Sequence, residues 1–152
     1  GLWAPTGDYD VMHPSRAGKG YWAHMLTGGA TVYLDPDKLW SVSLLNRYEI
    51  NMENSDTKTT YGDVWTLEYG VARTFNKTID VGVIGYYVLQ TTKDRGEGAT
   101  NPTRDQVFGV GPEVSVFWPK ITLFTSLRYI YEVDARNRPE GHTVNLTLTK
   151  IF

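Results

Sequence analysis

Seven charged residues, Arg47, Glu49, Glu68, Asp80, Glu113, Arg128 and Glu132, stand in alternating segments, all but Arg47 between two apolar neighbours, so in extended chain they share the polar side of their segments. Facing water or one another in an enclosed space, such a set can line a polar pathway. It can equally pair into an interior network that plugs and stiffens a narrow barrel, and no spacing among the seven separates pore from plug. Hydrolytic chemistry needs a nucleophile with its base, and metal chemistry needs convergent ligands. The three histidines, His13, His24 and His142, are scattered without ligand-like spacing. His13 and His142 fall in polar loops, where they could meet Asp8, Asp10 and Glu140 at one rim, although a set of solvated loop residues is the plainer account. "KDRGEGATNPTRD" lacks the ordered ligand spacing of a calcium loop and reads as a solvated surface segment. The glycines of "GEG" and "GVG" precede no helix and form no phosphate cradle. The expectation is a protein without catalytic residues, metal or cofactor.

The elements that must position these residues alternate with period two. In residues 39–50, Trp40, Val42, Leu44, Tyr48 and Ile50 oppose Ser41, Ser43, Arg47 and Glu49. Residues 63–75, 79–90, 106–118, 121–133 and 143–152 repeat the pattern, and residues 21–34 do so less cleanly because of Gly28 and Gly29. Arg73 interrupts its apolar face and, with Lys150, is expected to snorkel near a strand end. Pro112 suggests a bulge or kink. Ile84, Tyr86, Val88, Phe124 and Ile130 share the side of the charged residues, as apolar contacts for a solute or as ordinary lumen packing. No 3.6-residue period persists with helix caps, so little helix is expected.

Composition agrees with strands: 13% of the 152 residues are aromatic, and the 15 glycines and 7 prolines suit turns. A net charge of -2 gives no basic face for nucleic acid, which is therefore not an expected partner. The absence of cysteine excludes disulfides and Cys-ligated metal sites. No run reaches the roughly 18 apolar residues of a membrane helix, and the first residues lack the order of a signal peptide. The mean hydropathy is slightly negative, which decides nothing, because a membrane barrel averages its two faces.

Connections alternate short and long. "DPDK", "NKT" and "PK" are tight turns, whereas "TGDYDVMHPSRAGKG", "NMENSDTKTTYGD", "TTKDRGEGATNPTRD" and "DARNRPEGH" are long and polar. An antiparallel meander with one short-turn end and one long-loop end is the layout of an outer-membrane barrel. Trp22, Trp40, Trp65, Trp118, Tyr129, Tyr131 and Phe152 fall near expected strand ends, where interfacial belts place amphipathic rings. Tracing directions through the turns gives seven whole strands and one partial strand in a single domain, 1–152, with "GLWA" as the end of an incomplete first strand. The same pattern fits a soluble, lipocalin-like binding barrel with the aromatic face inside. Detergent dependence of the purified chain would separate the two.

Seven stretches in order resemble one family over nearly the whole chain: "WAPTGDYD" (3–10), "YW" (21–22), "YLDP" (33–36), "YEINMENSDTKTTYGD" (48–63), "GYYVLQTTKDRGEGA" (85–99), "GVGPEV" (109–114) and "NRPEG" (137–141). They look like the recurring signatures of the meta-pathway phenol-degradation family, the SphA-like transporters. The resemblance implies an all-β, antiparallel transmembrane barrel in the outer membrane of a Gram-negative bacterium. It also implies passage of small hydrophobic or aromatic compounds, with no particular substrate. In that family "PTGDYD" follows several earlier strands, so the chain is expected to be the C-terminal part of a larger barrel. The closing "TVNLTLTKIF" resembles the signal read by barrel-assembly machinery, with Phe152 as a genuine terminus. Expected partners are thus outer-membrane lipid, small apolar or aromatic solutes and that machinery. A structural protein with a plugged lumen remains the other membrane alternative, distinguished by single-channel conductance.

Overall fold

The alternating segments fold as strands, because β-branched and aromatic residues at every second position cover one side of a pleated surface and leave the other polar. The structure, a computed structural model, describes residues 1–12 and 18–151, so the expectations for His13 and Phe152 lie outside the described residues. The strands are β1 (Leu2–Trp3), β2 (Ala23–Tyr33), β3 (Trp40–Asn51), β4 (Glu53–Asn54), β5 (Thr59–Thr60), β6 (Val64–Phe75), β7 (Ile79–Gln90), β8 (Gln106–Trp118), β9 (Leu123–Arg136) and β10 (His142–Lys150). Eight of them form one antiparallel meander in the order β1-β2-β3-β6-β7-β8-β9-β10, while β4 and β5 pair separately as a small hairpin. The expected eight-strand meander is therefore present, as an open sheet whose edges are β1 and β10.

Register carries each side chain to a defined face. Arg47 pairs with Thr27 and Thr66, Glu68 with Leu45 and Tyr86, and Glu113 with Gly82 and Arg128, so polar positions align across the whole sheet. The opposite face carries Leu26, Leu44, Val71, Val83, Val114, Leu127 and Leu146, all exposed. Among the described residues only Ala23, Val107 and Ile130 form a buried hydrophobic core. A soluble fold of this size would bury far more.

Three connections are tight, as expected. Asp35 accepts backbone hydrogen bonds from Leu39 (2.8 Å) and Trp40 (2.7 Å), which hold its carboxyl below the usual range. Asn76 and Lys77 both have positive φ, 49° and 59°, the geometry that matches a two-residue hairpin turn to strand twist. The "PK" turn differs: Pro119–Ile121 is a single 3-10 turn, closed by Thr122 at φ 45°, so β9 starts two residues late.

Two further expectations are corrected. The register shift falls at Phe108/Gly109, where Val133 becomes the extra residue of β9, and not at Pro112. The β8–β9 ladder merely passes over Gly111 and Pro112 without changing register, which tolerates the missing N–H of proline. Strand β9 also continues to Arg136, so the last long connection shrinks to residues 137–141 and His142 becomes the first residue of β10.

Candidate functional site

The polar face is concave. A groove of about 710 Å³ runs along it from Gly29 on β2 to Ile130 on β9. Its floor is made of small residues near the short turns, including Ser41, Ser43, Gly70, Ala72 and Gly82. Alternation at those positions, with nothing longer than Ser opposite large outward residues, is the sequence signal that marks this floor. Larger side chains would fill it.

Four of the charged candidates, Glu68, Asp80, Glu113 and Arg128, line the groove, together with Ile84, Tyr86 and Ile130. Most of the charge is paired. Arg47 donates to Glu68 at 2.7 Å and lies 3.9 Å from Glu49, which in turn receives Lys19 at 3.0 Å. Arg128 lies 3.1 Å from Glu113, whose Oε1 also accepts from Ser115 (3.0 Å) and Ser126 (2.7 Å). Asp80 accepts from Thr74 at 2.6 Å and, among the described residues, has no ion pair. Tyr86 reaches across Gly109 to donate to Glu132 at 2.6 Å, and a Cβ on Gly109 would stand about 3.0 Å from that ring. Val88 and Phe124 lie outside the groove: Val88 pairs with buried Val107, and Phe124 stacks on Phe117 at 4.4 Å.

The long-loop end of the same face is closed. Asn51, Asn54, Thr59 and Gln90 are buried there. Asn54 accepts the backbone N–H groups of Asp56 (2.9 Å) and Thr57 (3.2 Å). Asn51 donates to the carbonyl of Gly62 at 2.8 Å. Asp94 receives Gly62 N–H and Gln90 Nε2, both at 2.8 Å, and Thr60 pairs with Arg95. The 91–105 segment, expected as a solvated loop, thus packs its first half onto the β4–β5 hairpin. Sequence alone missed this cap because its polar side chains find partners about thirty positions away. A third connection joins it: Tyr21 packs against Tyr61 with ring centres 5.2 Å apart and planes tilted by 37°, and Lys19 stands over the Trp3 and Tyr21 rings. Burial pushes the Tyr21 hydroxyl up to about 12 and raises that of Tyr61, and neighbouring Tyr61 and Glu49 reinforce the shift at Tyr21.

On the outer face Trp40 and Trp118 flank the short turns, and Trp22 and Trp65 flank the long loops. Trp65 meets Tyr87 edge-on at 5.9 Å. Tyr129 and Tyr131 lie within β9 rather than at its end, since that strand is longer than expected. His142 stacks on both rings and hydrogen-bonds Tyr129, which places it on the aromatic face instead of in a polar rim cluster. Arg73 stands over Trp40 and Phe75, its guanidinium 5.5 Å and 5.1 Å from the ring centres. Lys150 hydrogen-bonds the carbonyl of Ile121 and the Thr122 hydroxyl. Among the described residues no three His, Asp or Glu side chains converge as a metal would need.

The family described as "Putative MetA-pathway of phenol degradation" matches the chain over residues 1–148. No curated protein and no solved structure matches it.

Proposed function

The chain belongs to that phenol-degradation family, and from this premise we propose that its sheet is wall of an outer-membrane β-barrel that passes small hydrophobic or aromatic molecules by passive diffusion. One observation carries the reading: the apolar face is turned outward along every long strand while the groove lies on the polar face. Leu26 is 66% exposed, Val83 54%, Leu127 52% and Leu146 64%, a continuous band that lipid would cover. A lipocalin-like binder needs the reverse, with the apolar residues around its cavity. Localisation in a Gram-negative outer membrane follows from the same band, with tryptophans beside both sets of connections to sit at headgroup level. β10, whose residues are all exposed, offers the edge that assembly machinery would engage.

In this mechanism no residue makes or breaks a bond. Ile84, Tyr86 and Ile130 give a ring-bearing solute apolar contact beside the polar groove floor, and the capped loop end sets access. The cap also favours a second reading, a structural barrel with a closed lumen. Planar-bilayer recording of the intact protein decides between them. Discrete conductance steps support the channel, and silence from correctly folded protein supports the closed barrel. Protein that stays monodisperse without detergent would refute both.

A further inference from the structure

The groove's charges do not cancel. Among the described residues, Arg138 reaches the polar face beside Tyr86, and the five carboxylates there, Glu49, Glu68, Asp80, Glu113 and Glu132, otherwise meet three cations, Lys19, Arg47 and Arg128. Every one of those cations is committed to a carboxylate: Lys19 and Arg47 to Glu49 and Glu68, Arg128 to Glu113. Glu132 is held by the Tyr86 hydroxyl, and Arg138 of the 137–141 loop stands near enough to act on that pair without forming an ion pair. Asp80 differs. It lies at the turn end of the groove wall, exposed, with only the Thr74 hydroxyl as a partner, and the nearby Lys77 forms no ion pair with it. At its turn end the groove therefore carries one uncompensated negative charge, with no cation paired to it among the described residues.

We propose that Asp80 is the residue that sets charge selectivity in this groove, admitting neutral and cationic aromatic solutes and rejecting aromatic carboxylates. The physical basis is the field of a narrow, low-dielectric channel that carries an excess of one sign of charge. A mean lumen potential of about one kT enriches a monovalent cation about 2.7-fold and depletes the anion equally, giving a permeability ratio of about 7. A carboxylate solute meets the same barrier as chloride. A neutral phenol does not, and its hydroxyl can exchange hydrogen bonds with the groove's serines.

This inference rests on the channel reading above, and the reversal potential under a KCl gradient tests it on the intact protein in a planar bilayer. The expected potassium-to-chloride ratio is about 7, falling to about 1 in Asp80→Asn, which removes the one excess charge while keeping the acceptor for Thr74. Glu97→Gln, in the loop outside the groove, leaves the ratio unchanged. Replacing potassium with benzylammonium preserves inward cation current, and replacing chloride with benzoate adds none. A conducting protein with a ratio of one or less overturns the inference and leaves the channel standing. Strong cation preference that survives Asp80→Asn overturns the assignment of Asp80. Silence overturns the channel reading, and this inference with it.

Discussion

At the long-loop end of the inner face, Asn51, Asn54 and Gln90 are buried and hydrogen-bonded to loop backbone, whereas at the turn end Ser41, Gly82 and Asp80 surround open space. Both ends sit on the same strands, so strand chemistry does not explain the difference. Connection length does. A two-residue turn such as Asn76-Lys77 is too short to fold back over the sheet, while connections of a dozen residues can return hydrogen-bonding groups to it. Closing one end with amide and carboxylate side chains buries polar atoms whose hydrogen bonds depend on a fixed geometry, which makes that end brittle to substitution. Lining the other with Gly, Ala and Ser leaves room at Gly70, although a Cβ on Gly82 would still meet the Val71 carbonyl oxygen at 2.4 Å.

Glycine substitutions give the largest break between the ends. A Cβ on Gly62 would lie 1.9 Å from the carbonyl oxygen of Thr92, a backbone atom that cannot swing away. Gly62→Ala is expected to cost about 3 kcal/mol in urea unfolding of the detergent-folded protein. Gly70→Ala, whose nearest neighbour is an Ile84 methyl at 3.2 Å, should cost less than about 1 kcal/mol. Equal losses would erase the distinction. Next in size, Asn54→Ala strips two backbone N–H groups of their acceptor and should cost about 2 kcal/mol, read as faster amide exchange at Asp56 and Thr57. Glu113→Gln, in the groove, breaks a pair whose arginine is 37% exposed, and a loss of about 1 kcal/mol is expected, most of it removed by high salt.

A further effect is one of pH. Tyr21 ionises near 10 in an unfolded chain and at about 12 in the cap, so its burial contributes stability that is full below pH 10 and is lost as pH rises towards 12. Amide exchange corrected for its intrinsic pH dependence should show the cap opening in that window while β7 stays protected. Tyr21→Phe should remove the step.

Much of the wall was legible because period two survives in every strand. The alternation of residues 79–90 and 106–118 coincides with β7 and β8 end to end, and the parity of Glu68, Glu113 and Arg128 puts them on the groove side. The shift at Phe108/Gly109 was not legible, since a bulge is a property of two strands in register and proline is only one place to put it. The cap was hidden for a related reason. Asp94, Gly96 and Asn54 have the composition of a solvated loop, and only tertiary pairing, as of Gly62 with Asp94, ties the segments together over buried Asn54. Asp80 was visible as inward, but its lack of an ion partner emerges only once Arg47 and Arg128 are seen committed elsewhere.

The central claim is that one face of this sheet meets lipid and the other meets water. The chain has no cysteine, so single cysteines can be placed along β10 without background. In outer-membrane vesicles, labels at Val144, Leu146 and Leu148 should be quenched by a lipid-soluble nitroxide, while those at Thr143, Asn145 and Thr147 should react with a water-borne maleimide. Alternation in that phase is the predicted result, and uniform water access or the opposite phase would contradict the account.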